Sequence, residues 1–156
     1  MRLYILRHGK AERDSPSGRD EDRPLADRGR EQIRGLARLF SGGDAPARLR
    51  PPPVRVLSSP AVRADATARI IAEALSLEMN HEPALGLDAG YAALISLVER
   101  LAELGDSAMI VGHNPLLSRL VEQLARGDHL RTGELSVLDL EPTLEGREVA
   151  RFREDE

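Results

Sequence analysis

At 156 residues, 41% apolar and 31% charged, the chain reads as one globular domain spanning 1–156 that can bury roughly 68–70% of its unfolded surface. The absence of cysteine excludes disulfides, thiolate metal sites and cysteine nucleophiles, and a net charge of −4 argues against a general nucleic-acid binder. No stretch approaches the roughly eighteen apolar residues of a membrane span, and Met1 to Leu6 is too short for a signal-peptide core, so a soluble cytoplasmic protein is expected. With two Phe, two Tyr and no Trp, the core must be aliphatic.

The chain opens on an apolar strand, Leu3 to Leu6, that stops at Arg7-His8-Gly9. Side chains alternate along a strand, so Arg7 and His8 need a turn to enter one site, and Gly9 permits such a turn. At the carboxyl end of a strand in an open α/β sheet, this is where ligands bind. Lys10 to Asp27 is polar and aperiodic, a loop expected over the mouth of the site and ending in Arg23-Pro24-Leu25. A helix follows from about Asp27, with Ile33, Leu36, Ala37 and Phe40 on one face and Gly42-Gly43 as its stop. Pro51 to Pro53 should be extended, leading into a second strand over Val54 to Leu57.

Ser59 suits an N-cap and Pro60 a first helical position, for a helix running to about Leu75 that places Arg63 in its first turn. A short strand is expected within Leu77 to Pro83 and a loop over Leu85 to Tyr91. A helix from Tyr91 to Leu104 buries Leu94, Leu97, Val98 and Leu101. Ala108 to Val111 is an unbroken apolar run, as expected of a central strand covered on both faces. It ends in Gly112-His113-Asn114-Pro115, where Asn114 can cap and Pro115 can start a helix with Leu117, Leu120, Val121 and Leu124 inward. Glu134 to Leu140 and Arg147 to Phe152 read as a terminal hairpin, and the tail 153–156 is expected to fray. This pattern predicts a three-layer α/β/α sandwich with a mostly parallel sheet closed by antiparallel strands.

Three strand ends thus deliver Arg7 with His8, Arg63, and His113. Each has a bland reading alone: a strand end, a solvated helix arginine, a satisfied core histidine. Together they describe an anion pocket, because arginine's planar fork suits phosphate oxygens and helix N-termini favour negative charge. His81 and His129 fit no such pattern. No histidine pair has metal-binding HExxH spacing, and no GxxxxGK[ST] loop is present.

Four ordered motifs carry a resemblance. They are Leu6-Arg7-His8-Gly9-Lys10-Ala11; Asp22-Arg23-Pro24-Leu25 with Gly29; Ser58 to Ala64 with Thr67; and Val111-Gly112-His113-Asn114-Pro115. The chain resembles the histidine phosphatase superfamily, the phosphoglycerate mutase-like fold, and more narrowly its small SixA-type phosphohistidine phosphatases. The resemblance implies that His8 attacks phosphorus and is transiently phosphorylated, while Arg7, Arg63 and His113 bind the phosphoryl oxygens. It implies no metal or other cofactor, and a phosphorylated protein as partner, such as the histidine-containing phosphotransfer domain of a signalling relay. Arg23 and Asn114 are placed with the substrate-binding residues, Arg23 either facing substrate or pinning the loop.

Family members that cleave phosphoesters carry an acid for the departing oxygen, in some branches as His-Asp where this chain has His113-Asn114. Asn114 cannot donate as an acid, so the sequence leans toward phosphohistidine, whose imidazole leaving group needs a proton less. Asp88, Glu12 or a water could still serve, which keeps a small-molecule phosphoester phosphatase as the alternative. A non-catalytic phosphate-binding module is less favoured, since a pure binder needs no nucleophile.

Overall fold

The computed structural model describes residues 1–41 and 46–154. In chain order its elements are β1 (Arg2–Arg7), α1 (Asp27–Ala37), β2 (Val56–Ser58), α2 (Val62–Leu75), β3 (Met79–His81), α3 (Tyr91–Leu104), β4 (Ala108–Gly112), α4 (Leu116–Ala125), β5 (Leu135–Leu140) and β6 (Gly146–Phe152). They build a six-stranded sheet in the order β3-β2-β4-β1-β5-β6. The pairs β2–β3, β2–β4 and β1–β4 are parallel, whereas β5 runs antiparallel to β1 and β6 to β5. This is the expected mostly parallel sheet with antiparallel terminal strands.

Alternation along the strands sorts the core into two halves. Leu3, Ile5, Ala108 and Ile110 pack with α3 and α4 on one face. Tyr4, Leu6, Met109 and Val111 pack with α1 and α2 on the other. All eight are fully buried, at about 1.5–3 kcal/mol for each large apolar side chain. The helices contribute the residues their periodicity predicts: Ile33, Leu36 and Ala37 from α1, Leu94, Leu97, Val98 and Leu101 from α3, and Leu117, Leu120, Val121 and Leu124 from α4. Among the described residues, no helix is long and apolar enough to cross a membrane.

Several boundaries differ from the sequence reading, each for a local reason. After Ala37, α1 tightens into a 3₁₀ turn over Arg38–Phe40, where Phe40 meets Tyr4 edge-on at 5.9 Å. The expected stop at Gly42-Gly43 lies outside the described residues. Val54 and Arg55 precede β2: Val54 is 52% exposed with its N–H on the Ser107 carbonyl, and the Arg55 carbonyl accepts from the Met109 N–H at 2.9 Å. The helix expected from Pro60 starts instead at Val62, since the Ser59 hydroxyl both accepts from the Ala61 N–H and contacts His113. Similarly α4 begins one residue late, yet Asn114 Oδ1 still accepts from the Ser118 N–H at 3.1 Å.

Gly9 also differs. Among the described glycines only Gly18, Gly105 and Gly133 have positive φ. Gly9 is instead required for space, because a Cβ there would come within 3.0 Å of the Gly29 carbonyl and of Ile33 Cγ1. Gly29 is tighter still, with its Cβ position only 2.0 Å from the Lys10 carbonyl. Two glycines therefore let α1 press against the segment that follows His8.

Candidate active site

The site forms where three parallel strands end side by side. In register, Arg7 pairs with Gly112 and Ser58 with Val111, so the ends of β1, β4 and β2 are level. Backbone bonds continue past the strands, from His8 N–H to the Gly112 carbonyl at 3.1 Å and from Ser59 N–H to the Val111 carbonyl at 3.0 Å. His8, Ser59 and His113 thus leave the sheet together, and the two imidazole rings stand 5.1 Å apart. They open into a cavity of about 410 Å³ lined by Arg7, His8, Lys10, Ala11, Asp20, Arg23, Arg63, Leu87, His113, Asn114 and Thr132. All six residues singled out from the sequence line it.

His8 is held in one tautomer. Its Nδ1 lies 2.7 Å from the Gly9 carbonyl, which can only accept, so Nδ1 carries the proton. The lone pair is therefore on Nε2, which receives the Arg63 Nε–H at 3.4 Å. The ring is only 8% exposed. Burial lowers its pKa to about 4, the Gly9 hydrogen bond opposes this, and Arg63, Arg7 and Arg23 lower it further. The imidazole is accordingly neutral near pH 7, the form that can attack. Thr67, buried on α2, accepts from the Gly9 N–H at 3.1 Å and donates to the Arg63 carbonyl at 2.8 Å, tying the loop to the helix that carries Arg63.

Arg63 is 5% exposed. Its Nη1 donates to the Asp20 carbonyl at 2.7 Å and its Nη2 to Asp20 Oδ2 at 3.1 Å. The other carboxylate oxygen of Asp20 accepts from Arg23 Nη1 at 2.9 Å, while Arg23 Nε donates to the Glu12 carbonyl at 2.7 Å. Arg23 thus both pins the loop and borders the cavity. Hydrogen bonds from Arg23 and Arg63 hold the Asp20 carboxyl below the usual carboxylate range. Arg7 donates through Nη1 to the Leu130 carbonyl at 3.0 Å, and its buried Nε has no hydrogen-bond partner among the described residues. Burial, with a smaller push from the Arg153 guanidinium, lowers its pKa, but arginine stays charged.

His113 Nε2 lies 2.8 Å from Ser59 Oγ, and its buried Nδ1 has no hydrogen-bond partner among the described residues. Burial chiefly, then His8 and Arg63, lower its pKa to about 3. The Asn114 amide is engaged at both ends, donating to the Leu130 carbonyl at 2.8 Å and accepting from Ser118. It lines the cavity while fastening the 130 loop to α4. That loop closes over β1 through Gly133, whose N–H reaches the Arg7 and His8 carbonyls at 3.1 and 2.9 Å. Asp88 lines a neighbouring groove with Glu21, Val62 and Leu87. Among the described residues, no group of three or more His, Cys, Asp or Glu is arranged to hold a metal ion.

Sequence reasoning missed Asp20, Ser59 as the partner of His113, and the 130–133 loop. Asp20 lies in an acidic run that resembles any solvated loop, and its one signal is the three-residue spacing to Arg23. The 130 loop carries no motif, because it contributes carbonyls and a glycine N–H.

No curated protein sequence matches the chain. Among solved structures, it is similar to the protein histidine phosphatase SixA complexed with tungstate, with a TM-score of 0.82 and 25% identity over 98% of this chain and 97% of that one. It is also similar to the protein assigned as phosphohistidine phosphatase SixA in Agrobacterium tumefaciens, with a TM-score of 0.79 and 28% identity over 97% of both chains. A mycobacterial glucosyl-3-phosphoglycerate phosphatase shares the fold, with a TM-score of 0.72 and 18% identity over 96% of this chain and 97% of that one. The family model for the histidine phosphatase superfamily (branch 1) matches residues 3–86, more than half of the sequence. With His8 and Arg63 meeting at the end of β1 inside that span, the chain belongs to the histidine phosphatase superfamily.

Proposed function

We propose that this phosphatase removes phosphate from phosphohistidine on a signalling protein, through a phosphorylated His8, with guanidinium groups in place of a metal. The observation that carries this reading is the fixed tautomer of His8, with a neutral Nε2 lone pair facing Arg63 in the cavity. Nε2 attacks phosphorus, the bond from phosphorus to the substrate imidazole breaks, and its electron pair returns to that ring. A substrate ring protonated on its other nitrogen leaves as neutral imidazole and needs no acid from the protein. Phosphorylated His8 carries positive charge that the Gly9 carbonyl stabilises through Nδ1–H. Water then attacks phosphorus, releasing phosphate and restoring Nε2. Arg7, Arg63 and His113 border the cavity where charge spreads over the phosphoryl oxygens during both transfers.

Two features favour phosphohistidine over a phosphoester. Asp88 sits in a separate groove, and Asp20 is kept ionised by two arginines, so neither supplies a proton to a departing alkoxide in the free protein. A protein substrate is favoured because Leu87, which borders the cavity, and Val62, in the neighbouring groove that Leu87 also lines, are each 40% exposed and offer apolar surface. The SixA likeness points the same way, and a histidine-containing phosphotransfer domain is the proposed partner. The test is phosphate release from a phosphohistidine-bearing protein and from an aryl phosphoester, for wild type and His8→Ala. Fast release from the first only, abolished in His8→Ala while inorganic phosphate still binds, is expected. Preference for the ester would move the substrate class, and turnover by His8→Ala would remove His8 as nucleophile.

A further inference from the structure

Among the described residues, Asp20 is the only acidic one lining the His8 cavity, and it occupies the guanidinium groups that a phosphoryl group needs. Two of the three guanidinium nitrogens of buried Arg63 contact it, one through its carbonyl and one through its carboxylate. Its second carboxylate oxygen holds Arg23. The carboxylate is also close enough to His113 to raise that imidazole's pKa against the larger lowering effects. A carboxylate among Arg23, Arg63 and His113 lies where the oxygens of a bound phosphoryl group would be, and like charges packed together repel.

We propose that Asp20 is an internal ligand of the phosphoryl site, which must give way to each incoming dianion and thereby keeps the binding of free phosphate weak. The proposal rests on reading this cavity as a phosphoryl site. Displacement is feasible because Asp20 opens a short 3₁₀ turn (Asp20–Asp22) with its side chain 57% exposed, whereas Arg63 is anchored on α2 at 6% side-chain exposure. The carboxylate moves into water while the arginine stays. Every dianion meets the same penalty. A protein substrate offsets it with contacts remote from phosphorus, for which the exposed Leu87 and Val62 offer surface. Inorganic phosphate has no such contacts, so it binds weakly and leaves readily once formed.

The experiment is calorimetric titration of inorganic phosphate into wild type, Asp20→Asn and Glu21→Gln. Asp20→Asn keeps the shape of the side chain and removes its charge. Glu21→Gln removes the same charge one residue away, from a group whose recorded partner is Arg19. Asp20→Asn should bind phosphate up to about fivefold more tightly, the loss of one competing, partly exposed ion pair, and show correspondingly stronger product inhibition. Glu21→Gln should change affinity less than about twofold, as expected for an exposed, screened charge. Equal or weaker binding by Asp20→Asn would overturn the proposal, leaving Asp20 as a support for Arg63. Equal tightening in both variants would overturn it as well, since general charge rather than occupancy would then be the cause. Phosphate binding to none of the three would remove the anion pocket itself, whereas failed turnover with the gain in affinity intact would fault only the proposed reaction.

Discussion

Arg63→Ala gives the sharpest expectation about the anion site. On the proposed reading, a bound phosphoryl group would take two charge-assisted hydrogen bonds from a guanidinium only 5% exposed, worth about 1.5–3 kcal/mol each. Against that stands the contact with Asp20 that must be surrendered. Because the Asp20 side chain is 57% exposed, this ion pair contributes only about 0–1 kcal/mol. The difference is roughly 2–6 kcal/mol, so phosphate affinity should fall about thirty-fold or more. Folding should suffer less, since the lost ion pair is weak and α2 keeps its buried face of Ala64, Thr67, Ala68 and Ile71. Calorimetric titration with phosphate or tungstate, beside a thermal melt, separates the two effects. Unchanged anion affinity in a folded variant would refute the reasoning and take Arg63 out of the pocket.

Gly29→Ala forces a methyl to 2.0 Å from the Lys10 carbonyl, so the variant should lose about 3 kcal/mol and melt roughly 6–12 °C lower; an unchanged melt would refute the packing argument. Nitrogen-15 NMR should show His8 protonated at Nδ1 and titrating near 4, while a midpoint near 6.5 or a proton on Nε2 would contradict the assigned tautomer. The same shift has a consequence for stability. With its folded pKa depressed, the neutral ring favours the native state above pH 6.5, and this contribution is lost as pH falls from 6.5 toward 4. His8→Ala should therefore lose less stability than wild type across that window, and identical profiles would count against the buried neutral imidazole.

The long, strongly patterned elements were legible in the sequence. The unbroken run Ala108 to Val111 could only be a central strand, and the spacing of Leu94, Leu97, Val98 and Leu101 marked the buried face of α3. Arg7, His8, Arg63 and His113 could be placed together because each ends or follows a strand whose end is visible. What escaped depended on groups that sequence periodicity cannot rank. The Ser59 hydroxyl belongs as much to His113 as to a helix cap, which displaced the start of α2. Gly9 serves close packing against α1, which no turn pattern reveals. Asp20 acquires its place only from the path of a loop that crosses back over Arg63.

The level register of β1, β4 and β2 makes chemical competence a property of the whole chain. Arg7, Ser58 and Gly112 end neighbouring strands, yet long segments of sequence separate them. A fragment ending before β4 would contain His8 and Arg63 but lack the strand that lies between their own and sets their separation. Activity regained after dilution from denaturant would thus report completion of the parallel pairing at the centre of the sheet. Helical signal could return earlier, from segments that need only local contacts.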